Sequence, residues 1–183
     1  MFSQIQRQTM TSAKILSSKH YPYTHKAFKS YKTQKSYPYT MYRNMFVLGL
    51  GSNLTLKSKD SVEILESVFA WLDSHSQIRI LHSSPIWRNP PFGFALQNDF
   101  YNAVLVCESS LSLVEIYRLM FYVERRFGRG RKRAFKNAPR TLDVDLILFN
   151  TLNLQWEHLY VPHRFYTQRS SVMVPLSFIE SLC

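Results

Sequence analysis

The spacing of apolar residues along the chain predicts two amphipathic helices. In the stretch 60–74 apolar residues recur at every third or fourth position, and Ser58 or Asp60 is suited to cap its start. The same spacing predicts a second helix over residues 112–127, which Gly128 ends. The apolar stripes are Val62, Leu65, Phe69 and Leu72 in the first helix and Leu113, Ile116, Tyr117, Met120 and Phe127 in the second.

Shorter apolar stretches predict strands. Residues 46–50, 78–87, 100–108 and 141–150 are rich in strand-forming residues and are bounded by turn residues, and residues 158–162 form a fifth stretch. Few of these stretches are joined by connections long enough for a parallel crossover. The pattern therefore predicts an α+β fold with a largely antiparallel sheet and helices packed on one or both of its faces.

The positive charge of the chain is concentrated in two segments. The 183 residues carry a formal net charge of +11, yet residues 1–44 hold eight Lys or Arg and no Asp or Glu. Residues 45–183 hold the other fifteen basic residues and all twelve acidic ones. Eight of those basic residues and none of the acidic ones lie between Arg125 and Arg140. The rest of residues 45–183 is therefore net acidic.

Residues 1–44 show neither helical nor alternating apolar spacing and are rich in Ser, Thr, Lys, Gln and Tyr. Three interpretations compete: a disordered basic tail, a translation start placed ahead of a true start at Met45, and an organelle transit peptide. The abrupt beginning of a strand at Met45 favours the first two. We therefore expect the folded domain to occupy residues 45–183.

Composition excludes several classes of protein. Hydrophobic residues make up 45% of the chain, too many for a wholly disordered protein. No apolar run approaches the ~20 residues that a membrane-spanning helix needs, so we expect no membrane partner. The two cysteines, Cys107 and Cys183, do not form a disulfide framework, which favours a reducing compartment, the cytoplasm.

Two aspartates stand close together in the predicted strand over residues 141–150. Because side chains alternate along a strand, Asp143 and Asp145 are expected on one face. One interpretation is a solvated face near a strand end. The other is a Mg²⁺ site, in which two hard carboxylate ligands are completed by phosphate oxygens. The opposite face is expected to hold Val144, Leu146 and Leu148.

The basic segment that precedes this strand suits a polyphosphate. A run of Arg and Lys can be a solvated loop or a nucleic-acid patch, but arginines followed at once by paired carboxylates are what nucleotide chemistry requires. Glu124 falls on the apolar stripe of the second helix, where it either reaches water at the rim or is held by a cation. No Gly-Lys-Ser/Thr loop is present, so a phosphoryl-transfer enzyme of this sequence does not use a P-loop.

Six blocks, in order, resemble the 6-hydroxymethyl-7,8-dihydropterin pyrophosphokinase family, and the resemblance extends from about Met45 to the C-terminus. It implies a ferredoxin-like α+β fold and transfer of a pyrophosphoryl group from ATP to the pterin hydroxymethyl oxygen, with release of AMP, in folate biosynthesis. The blocks are Gly49-Leu-Gly-Ser-Asn-Leu, Trp87-Arg-Asn-Pro-Pro-Phe-Gly, Asp99-Phe-Tyr-Asn102-Ala, Glu124-Arg-Arg-Phe-Gly-Arg-Gly-Arg131, Pro139-Arg-Thr-Leu-Asp-Val-Asp145 and Val161-Pro-His163.

The resemblance implies a role for each matched residue. Asp143 and Asp145 would hold two Mg²⁺ ions that bridge the phosphates of ATP, the co-substrate. The implied catalytic residues are Arg129, Arg131, Arg140, Asp143 and Asp145. The implied ATP-binding residues are Glu124, Arg131, Lys132, Arg140, Leu146, His163 and Arg169. The implied pterin-binding residues are Asn89, Pro90, Phe92, Phe100 and Asn102.

The sequence departs from the family at the pterin-stacking positions. Members commonly hold the pterin between two aromatic rings, and the nearest positions here are Asn137 and Ser171, with Phe135 as a candidate substitute for the first ring. An inactive relative of the family therefore stays open, as does a ferredoxin-like nucleic-acid-binding module, although the latter leaves the two aspartates unexplained. The resemblance favours the enzyme, which we expect to be a monomer with ATP and the pterin as partners and without nucleic acid.

Overall fold

A computed structural model describes residues 44–91, 96–130 and 138–180. The strands are β1 (Asn44–Ser52), β2 (Ile78–Ser83), β3 (Trp87–Asn89), β4 (Phe100–Ser109), β5 (Asp143–Phe149), β6 (Leu154–Trp156) and β7 (Leu159–Val161). The helices are α1 (Ser61–Ser74), α2 (Leu113–Arg126) and α3 (Ser170–Glu180), and a 3₁₀ turn covers Tyr166–Gln168. Across these ranges, no helix combines the length and the apolar character needed to cross a bilayer.

The central sheet has the strand order β2-β4-β1-β5, with β3 paired to β4, and all its pairs are antiparallel. The strands β6 and β7 form a separate hairpin. Helix α1 connects β1 to β2 and helix α2 connects β4 to β5, so each helix joins two strands that are not neighbours. This topology confirms the predicted ferredoxin-like α+β fold.

The two predicted helices begin and end where the sequence signals place them. Asp60 accepts hydrogen bonds from two N–H groups of the first turn of α1, both at 2.9 Å, which selects Asp60 over Ser58 as the cap. Ser112 caps α2 in the same way. Gly128 follows α2 with a φ of +84°, and a Cβ there would lie 2.5 Å from Leu56. Only glycine meets both conditions without strain.

Apolar side chains cover both faces of the sheet. A large cluster lies between the sheet and helices α1 and α2, and its fully buried members include Phe46, Leu65, Val68, Phe69, Leu105 and Ile116. A smaller cluster on the other face comprises Val104 and Ile147 of the sheet with Val172 and Ile179 of α3. Helix α3 therefore covers part of the face that α1 and α2 leave open.

Two strand predictions are wrong in detail. The stretch 78–87 is not one strand, because Pro85, which has no N–H group, lies in the gap between β2 and β3. In β5, Ile147 is an extra residue in the pairing with β1. Strict alternation predicts that Leu148 lies beside Val144 in the larger cluster. Because of the extra residue, Leu148 instead packs against the smaller cluster. The sequence patterns also do not predict α3.

The described part of β1 begins at Asn44, one residue before the expected domain boundary. Asn44 pairs with Ser109, and its side-chain amide donates to the carbonyl of Leu111 at 2.8 Å. A chain that starts at Asn44 should therefore keep the turnover and the thermal unfolding temperature of the full chain, since it retains every contact that β1 makes with the described residues. Steady-state kinetics and calorimetry of the two chains check this, and a large loss of turnover would show that residues 1–43 belong to the catalytic domain.

Candidate active site

The two predicted halves of the site meet across one glycine. Gly51 of β1 pairs with Asp143 of β5 on one side and with Asn102 of β4 on the other. A methyl group at Gly51 would lie 3.0 Å from Oδ1 of Asn102 and 3.9 Å from both the Cβ of Asp143 and the ring of Phe100. Because glycine has no side chain, the amide of Asn102 and the Cβ of Asp143 approach this position from the two neighbouring strands with no side chain of β1 between them.

Asp143 is held between two arginines. Nη1 of Arg129 lies 2.6 Å from one carboxylate oxygen, and Nη1 of Arg140 lies 2.8 Å from the other. The side chains of both arginines are largely shielded from water, with 12% and 16% of their surfaces exposed. Charge pairs in such an environment are screened much less than pairs on the surface.

Glu124 is buried at the end of α2 and is held by a cation, so the rim interpretation is wrong. Nη1 of Arg129 forms an ion pair with its Oε1, and the same oxygen accepts the backbone N–H of Val144 at 3.0 Å. The backbone N–H of Arg129 donates to the carbonyl of Glu124 at 2.9 Å. Arg129 thus joins the end of α2 to the start of β5 through two carboxylates.

Replacing Arg129 with Met should lower the free energy of unfolding by about 3–5 kcal/mol, because Glu124 would keep a buried and uncompensated charge. The double variant Arg129→Met/Glu124→Gln should recover much of this loss, since the Gln carbonyl can still accept from Val144. Urea denaturation of the single and double variants measures both effects. A single variant within ~0.5 kcal/mol of the parent chain would contradict the inferred role of this ion pair.

Arg140 lies between the acidic pair and the aromatic residue of the predicted pterin site. Its guanidinium carbon is 5.6 Å from the centre of the Phe100 ring, within the range of a cation–π contact. Over the described ranges, its Nε is buried and has no hydrogen-bond partner. A buried N–H without an acceptor carries an energetic penalty that a neighbouring acceptor atom would remove.

Asp145 is compensated less fully than Asp143. Nη1 of Arg169, just before α3, lies 2.8 Å from its Oδ2. Burial, followed by the charge of Asp143, nevertheless raises the pKa of Asp145 above its ordinary value. Partial burial also lowers the pKa of the nearby His163, whose backbone N–H donates to Ile147 at 2.9 Å. A further cation beside Asp145 would stabilise its ionised carboxylate and lower its pKa.

The chemistry of the donor set fits Mg²⁺. Over the described ranges, no group of three or more His, Cys, Asp or Glu side chains is arranged to hold a metal ion. Mg²⁺ does not require such a cage, since it is commonly bound through one or two carboxylates and completes its shell with water and substrate phosphates. The hard oxygens of Asp143 and Asp145, together with the raised pKa of Asp145, fit an ion that arrives with a polyphosphate.

On the other side of Gly51, Asn102 is part of a short polar chain. Its Nδ2 donates to Oδ1 of Asn89, and Nδ2 of Asn89 donates to the carbonyl of Pro90 at 2.8 Å. Asn102 is buried, whereas Pro90 is exposed. The chain of hydrogen bonds therefore runs from the buried strand to the surface and fixes the orientation of the Asn102 amide.

Replacing Gly51 with Ala should displace the amide of Asn102, because the new methyl group would lie 3.0 Å from its Oδ1. We expect the KM for the pterin to rise roughly tenfold, about the effect of one misplaced hydrogen bond. The matched control is Gly49→Ala on the same strand, whose methyl group would have the apolar side chains of Ile147 and Val172 as its nearest neighbours. Equal KM values for the pterin in both variants would contradict this placement of the pterin.

The structure places most of the predicted site residues near one another, with some exceptions. The side chain of Leu146 is buried in the larger apolar cluster and is not available to a ligand. Ser171 is half-buried in the first turn of α3. Several predicted residues lie outside the described ranges, namely Phe92, Arg131, Lys132, Phe135 and Asn137.

Fold and site together define a class of protein. An antiparallel α+β sheet with paired carboxylates among three arginines can bind a polyanion and a divalent cation, beside the amide of Asn102 and the ring of Phe100. A model of the 7,8-dihydro-6-hydroxymethylpterin-pyrophosphokinase family matches residues 47–181. The chain therefore belongs to that family, as its sequence blocks predict.

Similar proteins include three bacterial 2-amino-4-hydroxy-6-hydroxymethyldihydropteridine pyrophosphokinases. The chain is 49% identical to that of Helicobacter pylori over 141 aligned residues, and the alignment covers 77% of this chain and 84% of the relative. It is 36% identical over 138 residues to that of Campylobacter jejuni, with 75% and 84% covered. For Bacillus subtilis the identity is 32% over 136 residues, with 74% and 78% covered.

Proposed function

We propose that this chain transfers a pyrophosphoryl group from ATP to 6-hydroxymethyl-7,8-dihydropterin and releases AMP, a step of folate biosynthesis. The observation that carries the proposal is the meeting of two half-sites across Gly51: carboxylates and arginines on β5, and Asn102 with Phe100 on β4. Membership of the pyrophosphokinase family supports the same reaction. The cysteine content supports the cytoplasm as its location.

The arginines would neutralise the triphosphate. Arg129, Arg140 and Arg169 each pair with a carboxylate, and their remaining N–H groups would serve phosphate oxygens. Two Mg²⁺ ions held by Asp143 and Asp145 would offset the charge that develops on the phosphates during transfer. Glu124, Leu146 and His163 would complete the nucleotide side of the site, and Arg131 with Lys132 would add positive charge.

The pterin would lie on the β4 side. Asn102 offers both an amide donor and an amide acceptor, which match the alternating donors and acceptors on the edge of a pterin ring. Phe100 supplies an aromatic face, and Asn89, Pro90 and Phe92 supply further contacts. In this pose the ring and the triphosphate lie on opposite sides of Arg140, which contacts both Phe100 and Asp143.

The bond changes follow from this arrangement. The hydroxymethyl oxygen attacks the β-phosphorus of ATP and gives up its proton to water. The bond from that phosphorus to the bridging oxygen of the α-phosphate breaks, and AMP leaves with that oxygen. The side chains contribute orientation and charge neutralisation, the main sources of rate in phosphoryl transfer.

Chromatography of AMP formed with and without the pterin tests the proposal. We expect one AMP and one pyrophosphorylated pterin per turnover, and no AMP when EDTA removes Mg²⁺. AMP formation that does not depend on the pterin would contradict the proposal. RNA binding without turnover would instead support a nucleic-acid module, and binding of both substrates without AMP would support an inactive relative.

A further inference from the structure

Asn53, directly after β1, contacts both halves of the site without facing either substrate. Its Nδ2 donates to Oε1 of Gln97 at 2.9 Å and to the carbonyl of Asn98 at 3.1 Å. Its Oδ1 accepts the backbone N–H of Arg140 at 2.8 Å. Only 2% of Asn53 is exposed, and both amide hydrogens are used, so this side chain has no donor left for a ligand.

The partners fix which end of the Asn53 amide points in each direction. The Arg140 N–H can only donate and the Asn98 carbonyl can only accept, so oxygen must face Arg140 and nitrogen must face Asn98. The backbone reinforces the first contact, because the N–H groups of Asn53 and Leu54 donate to the Arg140 carbonyl at 3.1 and 3.2 Å. Arg140 is thereby held through both its N–H and its carbonyl.

Each contact of Asn53 lies close to one substrate half-site. Gln97 and Asn98 come directly before β4, the strand that begins with Phe100 and carries Asn102. Arg140 pairs with Asp143 and contacts the Phe100 ring. The carboxamide of Asn53 is thus a short rigid link between the start of the pterin strand and the arginine beside the triphosphate.

We propose that Asn53 is a positioning residue that sets the spacing between the pterin and the β-phosphate of ATP. The inference rests on the proposed pyrophosphoryl transfer. The amide nitrogen of Asn53 holds the segment before β4, and its oxygen holds Arg140. A change at one of these two atoms should therefore alter the binding constant of one substrate more than that of the other. A residue that only stabilises the fold would not separate them.

Two variants at Asn53 separate these effects. Asn53→Asp keeps the oxygen that accepts from Arg140 but places a carboxylate oxygen against the Asn98 carbonyl. At pH 8, which favours the ionised carboxylate, we expect the pterin KM to rise roughly tenfold while the Kd of Mg²⁺ with α,β-methylene-ATP stays within about twofold. Asn53→Ala removes all three side-chain hydrogen bonds and should also lower kcat and weaken nucleotide binding. Gln97→Ala should raise the pterin KM alone, by less than Asn53→Asp.

The matched control is Asn150→Asp, the same chemical change at the far end of β1, where Asn150 contacts Met45 and Asn44. It should leave the pterin KM and the nucleotide Kd unchanged. The proposal would be overturned if Asn53→Asp weakened the binding of both substrates equally. It would also be overturned if the pterin KM and the nucleotide Kd did not change and only the unfolding temperature fell.

A second measurement does not depend on activity. Hydrogen exchange of the Arg140 amide should stay slow in Asn53→Asp and become fast in Asn53→Ala, since only the first variant keeps its acceptor. If the parent chain bound neither substrate, the proposed function would fail while the exchange data still tested the link. Fast exchange in both variants, or slow exchange in both, would overturn the positioning role.

Discussion

Replacing Asp145 with Asn should lower turnover by about a thousandfold or more. Asp145 is one of two carboxylates proposed to hold Mg²⁺, and the charge stabilisation that the ion provides amounts to several kcal/mol, with a factor of ten for every 1.36 kcal/mol. Asp143→Asn should have a similar effect and would also remove the charge that Arg129 and Arg140 share. Pterin-dependent AMP formation measures the loss in both variants.

The fold of Asp145→Asn should survive. Burial and Asp143 raise the pKa of Asp145, so the folded chain already disfavours its charged form, and a neutral amide removes that penalty. Asp73→Asn in α1 is the matched control, since Asp73 is half-buried with a pKa that burial also raises. Turnover near the parent value in Asp145→Asn, with the control unchanged, would refute the metal assignment.

Arg140→Ala should lower kcat by about a hundredfold or more, the typical effect of removing one donor aimed at developing charge. Arg140 contacts Asp143 and Phe100, and its Nε has no hydrogen-bond partner among the described residues. Arg140→Lys should recover little activity, because an ammonium group lacks the planar fork that serves two partners at once.

Steady-state kinetics with both substrates varied gives the measurement for Arg140. The control is Arg126→Ala in α2, an exposed arginine that stacks on Trp71 at 5.8 Å and should leave kcat unchanged. A rise in KM for ATP without a fall in kcat would show that Arg140 binds the ground state and does not act in the transfer step.

The parts of the site that follow from local periodicity could be predicted from the sequence. Asp143 and Asp145 lie two apart on a strand, and Glu124 lies on the stripe of a helix, so spacing alone singled them out. The sequence also indicated that Glu124 needed a partner, but not that Arg129 supplies it. That contact depends on how α2 is placed against β5.

The parts that depend on tertiary contacts could not be predicted. Helix α3 contains Pro175, a residue that normally argues against a helix interior, and it forms because its apolar side chains pack on the sheet. The irregularity at Ile147 has no local sequence signal and moves Leu148 to the other cluster. Asn53 lies in the first of the six family blocks, yet its proposed positioning role depends on contacts with residues 44 and 87 positions away in sequence.

Asp143 and Asp145 are proposed to bind divalent cations together with ATP. Mn²⁺, which takes the same oxygen ligands as Mg²⁺, can be titrated into the chain with α,β-methylene-ATP and followed by electron paramagnetic resonance. Two bound ions per chain are expected with the nucleotide present, and Asp145→Asn should lose at least one of them. Ion binding that is the same in the parent chain and in Asp145→Asn would contradict the account.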